Sequence, residues 1–179
     1  DEVVAEHGVD ALRTYVVFIA PFEASVTWDE SGIRGVTRFL SRFYALAYDV
    51  ATGEVGREGA PSDERLRRLQ HATVSRVTDD MEAFKYNTAV AALMGWLNEL
   101  EAARNGPISP AQWREMTGVF TILLAPFAPF LAEEVWQALL GHGDTVHRQP
   151  WPAYDPALLE GGTVTLPVQI DGRLRDTMT

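Results

Sequence analysis

The 179 residues are 46% hydrophobic and 22% charged, with 25 acidic and 15 basic residues and no cysteine. This composition is typical of a globular domain with one core, and it excludes disulfide scaffolds, thiolate metal sites and cysteine nucleophiles. No apolar run reaches the roughly 18 residues of a membrane span, so we expect a soluble, non-secreted protein. The net charge of −10 argues against indiscriminate nucleic-acid binding by the whole chain.

Charge is distributed unevenly along the chain. Residues 33–76 contain eight arginines and five acids, a local balance of +3, so that the remainder carries −13. Because the field at a ligand follows the nearby charges rather than the total, an acidic chain can still present one basic surface.

The N-terminal residues predict two helices and a loop. Apolar residues recur at helical spacing over residues 3–20, with a break at Gly8 and an end at Pro21. Residues 22–30 have no hydrophobic period and predict a connecting loop.

A long helix is predicted next, capped by Asp29 or Ser31 and running to about Ala51. Apolar residues three and four positions apart form one stripe along it, which is typical of a core-facing surface. The stripe consists of Val36, Phe39, Leu40, Phe43, Leu46, Ala47 and Val50.

Two further helices are predicted after a loop over residues 52–61, which holds three glycines and a proline. Ser62 is expected to cap the first of them, which ends near Phe84. Asn87 is expected to cap the second, which runs to Arg104.

The clearest helix start lies at Ser109, with Pro110 at the first helical position and Gln112 three residues after the cap. This helix breaks at two prolines, resumes over residues 131–140 and ends at Gly141. Each predicted helix has one apolar stripe, and these stripes must be buried against one another. The fold class is therefore mainly α, an antiparallel helix bundle.

The C-terminal residues predict a short β-hairpin. Apolar residues alternate over residues 163–170, Asp171-Gly172 is a two-residue turn signal, and residues 173–178 form the return strand. An isolated hairpin is marginal in water, and the sequence lacks an initiator methionine. We therefore expect a fragment of a longer protein.

No motif predicts catalysis by this chain. His142, Asp144 and His147 flank a glycine-rich loop and are interpreted as polar loop residues rather than metal ligands. The acidic pairs Asp79-Asp80 and Glu133-Glu134 are interpreted as solvated helix edges, because neighbours on a helix point about 100° apart.

Three arginines suggest a nucleic-acid contact. Arg34, Arg38 and Arg42 are spaced by four residues, which aligns them on one helix face, and only Asp29, Glu30 and Asp49 are acids of that helix within reach. An unneutralised stripe suits a phosphate backbone, whereas a solvated arginine face or pairing within the helix is the structural alternative.

The tryptophans could be base-stacking platforms or core residues. Trp96 and Trp136 lie on apolar helix faces, so we expect them to be buried. Trp28 and Trp151 lie in irregular segments and are expected to attach those segments to the bundle.

Several short motifs occur in a fixed order along the chain. The first, at residues 8–13, is Gly-Val-Asp-Ala-Leu-Arg. The others are Pro21-Phe22-Glu23-Ala24, Trp28-Asp29-Glu30-Ser31-Gly32, Arg38-Phe39-Leu40, Val77-Thr78-Asp79-Asp80, Tyr86-Asn87-Thr88-Ala89-Val90-Ala91-Ala92-Leu93-Met94, Ala125-Pro126-Phe127-Ala128-Pro129, Glu133-Glu134-Val135-Trp136, Pro150-Trp151-Pro152 and Val168-Gln169-Ile170-Asp171-Gly172-Arg173. Together they resemble the bacterial leucyl-tRNA synthetases, and the first resembles the segment after the KMSKS loop of several class I aminoacyl-tRNA synthetases.

The resemblance implies a parent enzyme of the cytoplasm, a monomer that activates leucine with ATP and Mg²⁺ and transfers it to tRNA(Leu). The catalytic motifs of that family are not in this sequence, so the resemblance implies a non-catalytic fragment without a cofactor of its own. Its implied role is to position tRNA(Leu) through the phosphate backbone.

The resemblance also implies domain limits and contact residues. It implies a connector over residues 1–30, an anticodon-binding-type helical bundle over 31–145, a wrapping segment over 146–162 and the first hairpin of a truncated C-terminal domain over 163–179. The candidate tRNA-binding residues are Arg34, Arg38, Arg42, Arg76, Lys85 and Arg173.

Two residues depart from the family pattern. Phe130 stands where the family usually has histidine, and Asp171 stands where asparagine is common, so no role is transferred to Phe130 and only a weak one to the hairpin. Two other functions stay open: a structural support that packs on the catalytic domain with little tRNA affinity, and, more remotely, a protein–protein adaptor.

Overall fold

The computed structural model describes residues 2–20, 27–159, 166–170 and 173–178. This part of the chain is mainly helical, as predicted. The α-helices are α1 (Glu2–His7), α2 (Val9–Phe18), α3 (Glu30–Thr52), α4 (Glu64–Glu82), α5 (Tyr86–Ala102), α6 (Pro110–Leu124) and α7 (Pro129–Glu134). A π-helical stretch (Val135–Leu139) continues α7, and 3₁₀ turns follow at Val146–Arg148 and Pro156–Leu158.

The helix ends follow local chemistry at several predicted positions. Gly8 separates α1 from α2 with φ of 83°, which only glycine adopts readily. The Asp29 side chain accepts the Ser31 N–H and so caps α3. Hydrogen bonds from the Ser31 hydroxyl and then its N–H lower the pKa of the Asp29 carboxyl below its usual value.

Two predicted caps are wrong. Asp63, not Ser62, caps α4 by accepting the Leu66 N–H at 2.9 Å. Asn87 lies inside the first turn of α5, which begins at Tyr86 without a side-chain cap. At Asn87 the physical reason is that α4 ends in a tight turn leading directly into α5, which leaves no extended residue to act as a cap. At Ser62 the reason is that the next residue, Asp63, is extended and supplies the accepting carboxylate.

Ser109 caps α6 as predicted, but only half of its capping box forms. The Ser109 hydroxyl accepts the Gln112 N–H at 3.3 Å. The Gln112 side chain turns instead to the backbone of Asp63, where it accepts the N–H at 2.6 Å and donates to the carbonyl at 2.8 Å. This buried amide therefore ties the start of α6 to the start of α4.

The centre of the bundle is aromatic. Phe43 of α3 stacks on Phe120 of α6 with ring centroids 4.3 Å apart, and Trp96 of α5 lies 5.2 Å from the same ring. All three side chains are at most 1% exposed. The predicted burial of Trp96 and of Trp136 is confirmed.

Helix α2 belongs to the same core. Ala11 and Tyr15 are each 2% exposed. The Tyr15 hydroxyl donates to the carbonyl of Asp29 at 2.8 Å. The Asp10 carboxylate accepts the Leu131 N–H at 2.7 Å, at the start of α7.

Segments on either side of the bundle attach through tryptophan, as predicted. Trp28 contacts Tyr15 edge to face at 4.9 Å. Trp151 donates from its indole N–H to the Thr78 hydroxyl on α4 at 2.8 Å, and the Asp155 N–H donates to His71 Nδ1 at 3.0 Å. Residues 151–158 thus run along α4.

Two strands lie at the C-terminal end. Strand β1 (Leu166–Ile170) pairs antiparallel with β2 (Arg173–Met178), with a register shift between Val168 and Gln169. The predicted turn at Asp171-Gly172 and the beginning of the first predicted strand lie outside the described residues, so the hairpin stays a prediction.

Replacing Gln112 tests the tie between α4 and α6. We expect Gln112→Ala to lower the free energy of unfolding by about 1–3 kcal/mol, because it leaves half-buried backbone groups of Asp63 without a partner. The measurement is the urea midpoint of the chain. The control is Gln137→Ala, which removes an exposed side chain that binds Glu133. We expect this variant to change the free energy of unfolding by less than about 0.5 kcal/mol. Equal midpoints for the two variants would contradict this role.

Candidate nucleic-acid interface

The outer face of α3 carries the predicted arginine stripe. Ile33, Phe39 and Phe43 lie in the core, and this places Arg34 and Arg38 in solvent. The spacing of four residues aligns the arginines along the helix, since residues four apart are neighbours on a helix surface.

Arg42 is paired with an acid from another helix. Its Nε lies 3.0 Å from both carboxylate oxygens of Glu101 on α5, and its NH2 group binds Glu101 and, at 2.7 Å, the Asn98 side chain. The hydrogen bond to Glu101 raises the pKa of the Arg42 guanidinium above its usual value. The expectation of an unneutralised stripe is therefore wrong at Arg42, because the neutralising acid comes from another helix.

The pairing leaves one edge of Arg42 available. Both NH2 and Nε face Glu101, whereas NH1 makes no hydrogen bond within the part of the chain that the structure describes. The Arg42 side chain is 37% exposed. A guanidinium has five N–H donors in a rigid fork, so NH1 can still donate to a phosphate.

Arg38 is an exposed cation of the stripe. Its side chain is exposed, and it forms no ion pair or hydrogen bond with any described residue. Arg34 lies near Asp29 and contributes, after the hydrogen bonds from Ser31, to the lowered pKa of that carboxyl.

The remaining candidate cations lie on other elements. Arg76 of α4 binds Asp80, which is 6% exposed, at 2.8 Å. Lys85 is exposed in the turn between α4 and α5. Arg173 lies on β2, and its side chain is not among those described.

The local charge excess of residues 33–76 is partly cancelled in the fold. Arg42, Arg65 and Arg76 bind Glu101, Glu99 and Asp80, all of which lie outside that stretch. A sequence window therefore overstates the positive field of this region, since the field depends on neighbours in space.

The acidic pairs also differ from expectation. Asp80 is buried against Arg76 rather than solvated. Glu133 accepts hydrogen bonds from the Thr145 hydroxyl and the Val146 N–H, each at 2.9 Å. Both carboxylates stabilise the fold. The Arg76–Asp80 pair follows the four-residue spacing of a helix, whereas the partners of Glu133 lie on another segment, which no spacing rule within a single helix predicts.

The loop that contains His142 and Asp144 packs against neighbouring side chains. The His142 ring stacks on Trp136 at 3.8 Å, and Asp144 accepts hydrogen bonds from Gln149 and from the Trp136 indole. Those two hydrogen bonds, Gln149 first, lower the pKa of the Asp144 carboxyl below its usual value. No group of three His, Asp or Glu side chains within the described ranges is placed to hold a metal ion.

A helical bundle with arginines aligned on one outer helix is an architecture suited to binding a nucleic-acid backbone. Residues 63–179 match the family described as the anticodon-binding domain of tRNA ligase, and the chain belongs to this family.

Two relatives of the chain are leucine–tRNA ligases. The leucine–tRNA ligase of Herpetosiphon aurantiacus is 42% identical over 177 residues, and that of Rubrobacter xylanophilus is 45% identical over 175 residues. Each match covers 98% of this chain but 21% of the relative, so the chain spans about a fifth of the length of these curated relatives. The resemblance to leucyl-tRNA synthetases is confirmed.

A solved structure has the same fold. The ternary complex of the Agrobacterium radiobacter K84 agnB2 LeuRS with tRNA and LeuAMS matches with a TM-score of 0.79 and 32% identity, covering 99% of this chain and 24% of that chain. No helix in the described part of our chain is both long and apolar enough to span a membrane.

A double-mutant cycle tests the pairing of Arg42. We expect Arg42 and Glu101, which are 37% and 31% exposed, to couple by up to about 1 kcal/mol in free energy of unfolding, with a decrease at high salt. The control is Arg65–Glu99, at 61% and 48% exposed, for which we expect weaker coupling. A coupling at Arg42–Glu101 that is no larger than in this control pair would contradict the assignment.

Proposed function

We propose that this chain is the tRNA-binding helical part of a leucine–tRNA ligase and that it positions tRNA(Leu) for leucylation by other domains. The observation that carries the proposal is Arg38, an exposed arginine without an ion pair to any described residue, next to Arg34 and the open edge of Arg42. The leucine–tRNA ligases among its relatives support the choice of tRNA.

The arrangement favours contact with phosphates rather than with bases. Arginine side chains on a straight helix present forked donors at regular spacing, and each fork can take a phosphate oxygen pair. Such contacts set the position and orientation of the nucleic acid without reading its sequence. The core on the opposite side of α3 holds the helix rigid, so little order has to be gained on binding.

The remaining assignments are part of the same proposal. Arg76, Lys85 and Arg173 are secondary contacts, of which Arg76 is the weakest candidate because Asp80 already binds it. We keep the division into a connector, a bundle from residue 31 to 145, a wrapping segment and the first hairpin of a further domain. ATP, Mg²⁺ and the chemical steps belong to the rest of a monomeric cytoplasmic ligase.

Internal charge pairing favours a second candidate function. Arg42 and Arg76 are both bound to carboxylates of the same chain, and the chain outside residues 33–76 carries −13. A domain with few available cations would serve mainly as a structural support for the catalytic domain. Binding measurements on arginine variants distinguish the two functions.

Replacing Arg38 tests the proposed function. We expect Arg38→Ala to weaken binding of a tRNA(Leu) transcript and to reduce the slope of log affinity against log salt by about one, because one phosphate contact is lost. The measurement is fluorescence anisotropy at several salt concentrations.

The matched control is Arg65→Ala, which changes the net charge equally but removes an arginine already bound to Glu99. We expect a smaller change in both affinity and slope. Equal effects of the two variants would show that only net charge matters. Unchanged binding by Arg38→Ala, and also by the double variant Arg34→Ala/Arg38→Ala, would favour the support function.

A further inference from the structure

The turn between α4 and α5 has an unusual residue at its centre. The Phe84 N–H donates to the Met81 carbonyl at 3.2 Å, and the Lys85 N–H donates to the Asp80 carbonyl at 2.7 Å. This hydrogen-bond pattern is a Schellman motif, whose central residue has a positive φ and is usually glycine. Here that residue is Phe84, with φ of 57°, and no other non-glycine residue in the described ranges has a positive φ.

The fold gains little from a phenyl ring at this position. Phe84 is 67% exposed, and its one aromatic contact among the described residues is with the edge of Tyr86, with ring centroids 6.0 Å apart. A bulky residue in the left-handed region is strained, and glycine or asparagine would relieve that strain. Strain that the core does not require is typical of a residue retained for contact with a ligand.

An apolar groove lies beside Tyr86, the ring that Phe84 contacts. Tyr86 and Met81 line a groove of about 490 Å³ together with Leu12, Arg13, Val16, Val17, Pro126 and Phe127. Arg13 at this groove and Lys85 next to Phe84 are both exposed, and neither forms an ion pair with a described residue. Glu82 is also exposed in the last turn of α4, so the cation excess is small and the ring must provide most of the contact.

We propose that Phe84 is a stacking platform for an unpaired base of the bound tRNA, with Lys85 and Arg13 facing the adjoining phosphates. A nucleotide combines a flat apolar face with an anionic tether, and this chemistry matches an exposed ring with a cation next to it in the chain and a second cation at the neighbouring groove. The inference rests on the proposed function and adds a base contact to the phosphate contacts of α3.

The first test is a substitution that keeps the size and strain but removes the aromatic face. We expect Phe84→Leu to weaken binding of a tRNA(Leu) transcript by about tenfold. We expect the salt dependence to stay unchanged, because no charge is removed. Phe84→Trp should retain wild-type affinity. The measurement is fluorescence anisotropy on the complete 179-residue chain.

The matched control is Phe130→Leu. Phe130 is also 67% exposed, but its N–H faces the Asp10 carboxylate at 3.5 Å, so its neighbour is an anion. We expect no change in affinity for this variant. The proposal would be overturned if Phe84→Leu kept wild-type affinity for tRNA(Leu), or if Phe130→Leu lost as much affinity as Phe84→Leu. The groove would then be a candidate site for a protein segment instead.

A stability measurement separates a ligand contact from a role in folding. We expect Phe84→Gly to keep or raise the melting temperature, because glycine relieves the positive φ, and to lose at least as much tRNA affinity as Phe84→Leu. A lower melting temperature would show that the ring serves the fold and would overturn the proposal. If the wild-type chain does not bind tRNA, the proposed function is overturned as well. If Arg38→Ala weakens tRNA binding but Phe84→Leu does not, only the stacking by Phe84 is overturned.

Discussion

The stacking of Phe43 on Phe120 determines which face of α3 is buried, and the position of every charge on that helix follows from it. A helix has one stripe of residues at three-and-four spacing, so burying Phe43 also commits Ile33 and Phe39 to the core. Loss of such a ring typically costs about 3–5 kcal/mol in free energy of unfolding. Rotation of α3 to present other residues is therefore strongly opposed, and the arginines stay on the outer surface.

The same packing explains why the arginines are unequal. Helix α5 contacts the same Phe120 ring through Trp96, and it brings Glu101 and Asn98 to Arg42. Arg38, one turn earlier, meets no such acid among the described residues. A helix face that looks uniform in the sequence thus carries Arg38, an exposed arginine without an ion pair to any described residue, beside Arg42, which Glu101 orients. An orienting carboxylate lowers the net charge but holds the guanidinium in place, which suits recognition of a fixed phosphate.

Much of the fold could be predicted because its signals are local. The glycine at position 8, the cap at Asp29 and the Ser109-Pro110 start of α6 depend on neighbours within a few residues, and the structure has them. The cap at Ser62 was wrong because the adjacent Asp63 competes for the same role, and the cap at Asn87 was wrong because the tight turn before α5 leaves no side-chain cap at all.

The unpredicted contacts join distant segments. Gln112 binds Asp63 across 49 positions, Arg42 binds Glu101 across 59, and Asp10 reaches Leu131 across 121. No spacing rule within one helix contains these pairs. The strain at Phe84 was hidden for a different reason, since a turn that normally takes glycine gives no sequence signal when it holds phenylalanine.

We propose that position in the fold, not total charge, decides which cations meet the tRNA. A titration of the chain with tRNA(Leu), following the arginine Nε–Hε signals by NMR, tests this proposal. We expect shifts for Arg38 and Arg42 at substoichiometric tRNA, with the signal of Arg65, which Glu99 binds, unchanged. Uniform shifts of all arginine signals, or shifts of Arg65 without Arg38, would contradict it.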